Sequence, residues 1–251
     1  MNDFLSVALK AVKKAGREIM KQYKNELIIT NKKDNSPVTN VDISAEKIII
    51  KTIKKSFPKH GFLGEELGSE NNKSEYKWII DPIDGTKNFI RKIPLFGTQL
   101  ALMKDNEIIL GVSYAPAIKE LIYAAKGKGA YLNGKKISVS NIKLVNESYV
   151  SYGGLNLFNK HKLIPNLLSL ISECKGRRGF GDFWSYHLLA MGKIDIFIEP
   201  ETKIWDIAAV SLIVNEAGGK VTDIKGNKVN IKTTSIIATN GLLHKKIMNY
   251  F

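Results

Sequence analysis

Two carboxylates three residues apart open the run Asp81-Pro82-Ile83-Asp84-Gly85-Thr86-Lys87-Asn88-Phe89, directly after the apolar stretch Trp78-Ile79-Ile80. The stretch reads as a strand, which would place Asp81 and Asp84 at its end and the Gly-Thr pair where a helix can begin. Carboxylates are hard oxygen donors for a divalent cation, and free backbone N–H groups at a helix start suit an anion. The chemistry that this allows is Mg²⁺-dependent action on a phosphate ester. Asp-Pro and Asp-Gly are also ordinary turn pairs, but a turn alone does not call for this sequence behind an apolar strand.

Two further segments carry carboxylates in suggestive places. Gly64-Glu65-Glu66 follows Phe62-Leu63, and Trp205-Asp206-Ile207-Ala208-Ala209 opens an apolar helix-like run. Each has a plain structural explanation when taken alone. Glu pairs are common on surfaces, Asp206 would serve as a helix N-cap, and Trp205 would anchor a core.

These residues need elements to position them. Phe4, Leu5, Ala8, Leu9, Val12, Ala15, Ile19, Met20 and Tyr23 recur at helical spacing and predict an amphipathic helix over residues 3–23. Residues 31–39 are polar and read as a loop, and a second helix is expected over 42–55, broken by Pro58-Lys59-His60-Gly61. Short apolar or alternating runs predict strands at 78–80, 97–104, 107–116 and 120–125, with turns at Asp105-Asn106 and at Leu132-Asn133-Gly134-Lys135. Further on, strands are expected at 149–152, 194–198, 220–222 and 235–239, and helices at 162–172, 183–191 and 206–217. The last of these is capped by Asp206 and closed by Gly218-Gly219. A soft boundary near residue 140 separates an N-terminal α+β half (1–140) from a C-terminal α/β half (141–251).

The 251 residues suffice for a large core, and no run approaches the roughly 18 apolar residues of a membrane span. Met1-Asn2-Asp3-Phe4 shows no secretory signal, and the single cysteine, Cys174, excludes an intrachain disulfide, so a reducing cytoplasm is the expected setting. Cys174 reads as a spectator thiol. The formal net charge is +14, yet only four of the 38 basic residues are Arg and the Lys are spread along the chain. That pattern fits a solvated surface that steers anionic substrates better than a nucleic-acid interface.

Taken together, the segments at Glu65, at Asp81–Phe89 and at Trp205–Ala209, with Glu216-Ala217-Gly218-Gly219, resemble the inositol monophosphatase superfamily of Mg²⁺-dependent, lithium-sensitive phosphatases. Val38-Thr39-Asn40-Val41-Asp42 is similar to that superfamily's Thr-x-x-Asp element, and the resemblance covers nearly the whole chain. It implies a layered α-β-α-β-α sandwich of the inositol monophosphatase / fructose-1,6-bisphosphatase type, usually a homodimer. It also implies roles. Glu65, Asp81, Asp84, the Ile83 carbonyl and Asp206 would hold two or three Mg²⁺ per site, with Mn²⁺ as a substitute. Gly85 and Thr86 would hold the phosphate. Asp42, Thr86 and Glu65 would orient or deprotonate an attacking water for in-line displacement.

The second half bears on the alcohol. Arg177-Arg178-Gly179-Phe180-Gly181-Asp182-Phe183-Trp184-Ser185-Tyr186, Glu199-Pro200-Glu201 and Asn88–Pro94 resemble the monophosphatase-type histidinol-phosphatases of histidine biosynthesis. Carboxylates at Asp182 and Glu199 would suit a cationic alcohol through charge-assisted hydrogen bonds, with Arg178 near the phosphate or at a dimer contact. Asp182 could instead cap the following helix, and Trp184 and Tyr186 read more simply as core than as platforms for an imidazole. An inositol-1-monophosphatase or a broad sugar-phosphate phosphatase is the alternative. A protein- or RNA-binding role and a 3′-phosphoadenosine phosphatase fit less well. No membrane partner is expected.

Overall fold

The computed structural model describes residues 2–25, 27–31, 37–71 and 73–251. Eight helices and fifteen strands are present among them. The helices are α1 (Asn2–Gln22), α2 (Asn40–Lys54), α3 (Thr86–Ile90), α4 (Leu155–Lys160), α5 (Ile164–Glu173), α6 (Asp182–Ala190), α7 (Ile204–Glu216) and α8 (His244–Met248). Strands β1 (Ile29–Asn31) and β2 (Pro37–Thr39) pair as a small antiparallel ribbon. The segment 31–39, expected as a loop, is therefore strand at both ends; residues 32–36 lie outside the described residues.

The main sheet has eight strands in the order β10-β9-β8-β7-β6-β5-β3-β4. They are β3 (Gly61–Gly64), β4 (Gly68–Glu70), β5 (Tyr76–Asp84), β6 (Gly97–Lys104), β7 (Glu107–Ala115), β8 (Glu120–Ala125), β9 (Ala130–Leu132) and β10 (Lys135–Ile137). All neighbours are antiparallel except β3 and β5. The second sheet runs β12-β11-β13-β15-β14, from β11 (Tyr149–Tyr152), β12 (Gly176–Arg178), β13 (Ile196–Glu199), β14 (Lys220–Thr222) and β15 (Ile236–Thr239). The predicted turns hold: Asp105 and Asn106, and Asn133 and Gly134, all take positive φ, as two-residue hairpins demand.

Alternation along the strands builds the layers. On β5 and β6, Trp78, Ile80, Leu100 and Leu102 face α1 and α2, while Ile79, Ala101 and Met103 face the opposite way, toward α6 and α7. On the second sheet Phe197, Ile236 and Ala238 share that inner core, and Ile196, Ile198 and Ile237 face α4, α5 and α8. The order is helices, sheet, helices, sheet, helices: the α-β-α-β-α sandwich.

The two outer and inner helix types differ in sequence for this reason. Helix α1 buries one stripe, Ala8, Ala11, Val12, Ala15 and Ile19. Helix α7 lies between two sheets and is buried nearly all round, from Ile207 through Val214, as a helix with two apolar neighbours must be. Gly111 on β7 admits it closely: a Cβ there would stand 2.4 Å from the Ala209 carbonyl oxygen. Helix α6 is tied to the main sheet by a polar link. His187, fully buried, meets the Ser113 hydroxyl at 2.6 Å and Glu120 at 3.0 Å. Cys174 is buried and takes a 3.5 Å contact from the Ser148 hydroxyl. No helix among the described residues is long and apolar enough to cross a membrane.

Candidate active site

The sequence carries β5 as far as Asp84, beyond the short strand expected. Its pairing with β6 slips between Asp81 and Asp84, and this irregularity re-aims the two carboxylates. Asp81 folds back to accept the Ile83 N–H at 2.9 Å. Gly85 then takes φ +85 before α3, a conformation that glycine adopts freely. A side chain there would also meet the Leu95 carbonyl at 2.9 Å. The Thr86 hydroxyl donates to the Ile83 carbonyl at 2.9 Å and lies 3.5 Å from Asp42 Oδ1.

Asp42 sits at the third position of α2, one turn inside a capping box. Thr39 donates its N–H (2.9 Å) and hydroxyl (2.5 Å) to Asp42 Oδ2, which leaves Oδ1 toward Thr86. Burial raises the Asp42 carboxyl above its usual range, even though the Thr39 bonds pull it down. Glu65 follows β3, with its N–H on the Ile80 carbonyl at 3.1 Å. The loop bearing it is held by Glu46, a fully buried α2 residue that accepts the N–H groups of Glu66 (2.9 Å) and Leu67 (3.2 Å). Sequence reasoning did not single out Glu46; a lone acid on the apolar side of α2 was the available signal.

From the second half, α7 delivers Asp206. It is not the N-cap expected: Lys203 occupies that place, and Asp206, three residues on, accepts the Lys203 N–H (2.8 Å) and the Thr202 hydroxyl (3.1 Å). Asp84 reaches the same helix layer from the other side by accepting the Phe183 N–H at 3.1 Å.

The four carboxylates Glu65, Asp81, Asp84 and Asp206 share one buried region. Burial first, and then repulsion from Glu65, Asp84 and Asp206, hold Asp81 well above the usual carboxylate range. Burial, then Asp182, Asp206 and Glu65, do the same to Asp84. Burial pushes Asp206 up to about 7. Among the described residues no three of these side chains close on a single point; they repel one another across a common space. An all-oxygen, strongly anionic donor set of this kind suits Mg²⁺ rather than a thiophilic metal.

Beside the carboxylates opens a cavity of 320 Å³ walled by both halves. Asp84, Asp206, Asp182 and Glu199 all line it, with Tyr186 and Phe197 among the remaining walls. Lys87 is the one basic residue lining it among the described residues. A larger groove on α2, between Lys47, Lys51 and Phe62, lies away from these carboxylates; its one acid, Glu70, is paired with Lys54 at 2.5 Å.

Asp182 does not cap α6 through its side chain. Gly181 precedes the helix, and Asp182 is its first residue at a strained φ of +48. Its carboxylate lies 3.4 Å from the Asn88 amide and is raised by burial, with Lys87 opposing. Glu199 ends β13, and burial, then Asp182 and Asp206, push it up to about 8. Trp184 packs edge-on against Phe180 at 4.9 Å and does not line the cavity. Arg178 is also outside it. It is exposed on the edge strand β12, and its guanidinium donates to the Arg177 carbonyl at 2.8 Å.

The profile of the inositol monophosphatase family matches residues 1–251. A histidinol-phosphatase from Mycobacterium tuberculosis is 36% identical over 228 residues, covering 89% of this chain and 87% of that protein. The Nus factor SuhB of Pasteurella multocida is 35% identical, covering 99% and 96%. An inositol-1-monophosphatase of Mesorhizobium japonicum is 34% identical, covering 97% and 94%. The crystal structure of the extragenic suppressor protein SuhB from Bartonella henselae superposes with a TM-score of 0.94 at 34% identity, over 99% of this chain and 98% of that one. By sequence and by fold, the chain belongs to the inositol monophosphatase family of phosphomonoester hydrolases.

Proposed function

We propose that the chain hydrolyses L-histidinol phosphate to L-histidinol and inorganic phosphate, with Mg²⁺ as the cofactor and Mn²⁺ able to replace it. The observation that carries the choice of alcohol is the acidic wall of the cavity. Asp182 and Glu199 both line the cavity, and Lys87 is the one basic residue that does so among the described residues; in this reading the alcohol occupies that space. A cationic alcohol would relieve the burial cost that now raises both carboxyls.

In this reading Glu65, Asp81, Asp84, Asp206 and the Ile83 carbonyl hold the cations. Divalent cations there supply charge neutralisation at the phosphoryl group and acidify a nucleophilic water. The chain's own part is placement. Gly85 and Thr86 offer backbone N–H groups at the start of α3 to the phosphate. Thr86, held between Ile83 and Asp42, and Asp42, whose Oδ1 lies 3.5 Å from the Thr86 hydroxyl, orient the water and take its proton, with Glu65 beside them. The expected assembly is a homodimer in the cytoplasm, on the strength of the family resemblance and the lone cysteine.

One observation favours a second reading. Glu199, raised to about 8, is able to stand as a neutral carboxyl and bond to hydroxyls, which would suit inositol 1-phosphate or another sugar phosphate. The two readings separate in a phosphate-release assay with Mg²⁺ over a panel of monoesters. L-Histidinol phosphate should lead in kcat/KM; a tenfold advantage for myo-inositol 1-phosphate would overturn the assignment.

A further inference from the structure

Three consecutive backbone N–H groups, beginning at Glu65, are held from two sides. Strand β3 pairs in parallel with β5 at Gly64 and Ile80, so Glu65 and Asp81 follow side by side. The Glu65 N–H goes to the Ile80 carbonyl at 3.1 Å. The next two, on Glu66 and Leu67, go to the two carboxylate oxygens of Glu46 at 2.9 and 3.2 Å.

Glu65, Glu66 and Leu67 form a short hairpin loop. Gly64 pairs with Gly68, and Gly68 takes φ +72 at the start of β4, as three-residue hairpin loops favour. Strand β4 is the last of its sheet, and Leu67 is exposed. A loop tip in that place is mobile unless something pins it, whereas a side chain that holds a cation must be placed within about 0.5 Å. Glu46 pins it from the rigid side. It is fully buried on α2, among Val41, Ala45 and Ile49.

Gly64 makes the room for this contact. It takes no left-handed backbone, and a Cβ on it would overlap the Glu46 carboxylate. One turn earlier on the same face of α2, Asp42 meets Thr86. Two acids on one helix therefore reach two parts of the candidate site. For stability alone, a buried acid is often no better than a well-packed apolar residue, so stability does not account for an acid at this point.

We propose that Glu46 is a positioning residue for the cation site: by gripping the loop after Glu65, it fixes the Glu65 carboxylate where Mg²⁺ binds. This rests on the metal reading above. Glu46→Gln keeps the shape and replaces one acceptor oxygen with an NH₂ donor. Gly64→Ala alters no charge and drives the Glu46 carboxylate aside. The measurement is equilibrium binding of Mg²⁺ to the metal-free full chain by calorimetric titration, with thermal melts of the same samples.

Each variant should bind Mg²⁺ about tenfold more weakly than the parent. The double variant should be weaker than either single one by no more than about twofold, since both changes break one contact. A lowered metal-free melting temperature with an unchanged Mg²⁺ dissociation constant is what a merely structural role would give, and it overturns the proposal. If the parent binds Mg²⁺ and both variants match it, the positioning role falls and the metal reading stands. If the parent binds no Mg²⁺ and is fully active in EDTA, the metal reading falls and the proposal with it. Should Glu46→Gln fail to fold, Gly64→Ala carries the same test.

Discussion

The Asp84 carboxylate accepts the backbone N–H of Phe183 at 3.1 Å, across 99 residues of sequence. This bond joins the end of β5 to the first turn of α6. Asp84 thereby ties the carboxylate group to the cavity that it lines, in a strongly anionic setting.

Asp84→Asn keeps the shape and the bond to Phe183 but removes a charge from the donor set. Turnover should fall by about 10³-fold or more, with the melting temperature retained or raised, since a repelling carboxylate is lost. Phosphate release and calorimetry measure the two. EDTA should abolish parental activity and Mg²⁺ restore it; full activity in EDTA would remove the metal hypothesis.

Thr86→Ala should lower kcat by about 10²-fold with a small change in KM if, as proposed, the hydroxyl between Ile83 and Asp42 positions the water rather than the alcohol. Steady-state kinetics at saturating Mg²⁺ test this. A loss confined to KM would assign Thr86 to ground-state binding.

Asp182→Asn should cost selectivity rather than hydrolysis. The kcat/KM for L-histidinol phosphate should drop by about tenfold relative to myo-inositol 1-phosphate, read from the same two-substrate assay. Uniform loss on both would make Asp182 structural.

Glu199 links the site to stability. Its carboxyl is near 8 in the folded chain against an ordinary 4.5. A raised folded value means that the folded state binds the extra proton. Stability without metal is therefore highest near and below pH 4.5 for this group, and is lost as pH rises toward 8. Glu199→Gln, scanned in EDTA between those limits, should flatten the decline and be more stable than the parent at the alkaline end, by several degrees. Parallel curves for the two proteins would contradict the buried, proton-binding Glu199.

Gly111→Ala should destabilise the fold by roughly 1–3 kcal/mol, because the added methyl would meet the Ala209 carbonyl. Denaturant melts should show this as a lower midpoint with an unchanged slope.

Much of this was legible in the residues. The alternating runs 97–104, 107–116 and 120–125 gave strands because one period-2 pattern serves two cores at once. Asp81, Asp84, Glu65 and Asp206 were legible as a group through the motifs at 64–66, 81–89 and 205–209, and the structure brings the four within reach of one another's charge. Four features were not visible. The place of Asp206 in its helix is ambiguous in sequence, since an acid in a first turn looks alike at N-cap and three residues on. Arg178 was drawn toward the site by its charge, but the strand pairing that turns it outward is tertiary. Glu46 and the Ser113–His187–Glu120 link bridge elements 20 to 74 residues apart, which no local pattern records. Helices α4 and α8 are too short for a periodic signal.

Helix α7, wedged between the two sheets, carries Asp206 into the carboxylate group at the first turn of the last long helix. A growing polypeptide that has emerged only through the eight-stranded sheet already possesses Glu65, Asp81 and Asp84, yet it lacks the fourth acid and the wall that faces it. The four-carboxylate group therefore exists only where both halves are packed together, so it is a property of the whole folded chain and of neither half alone.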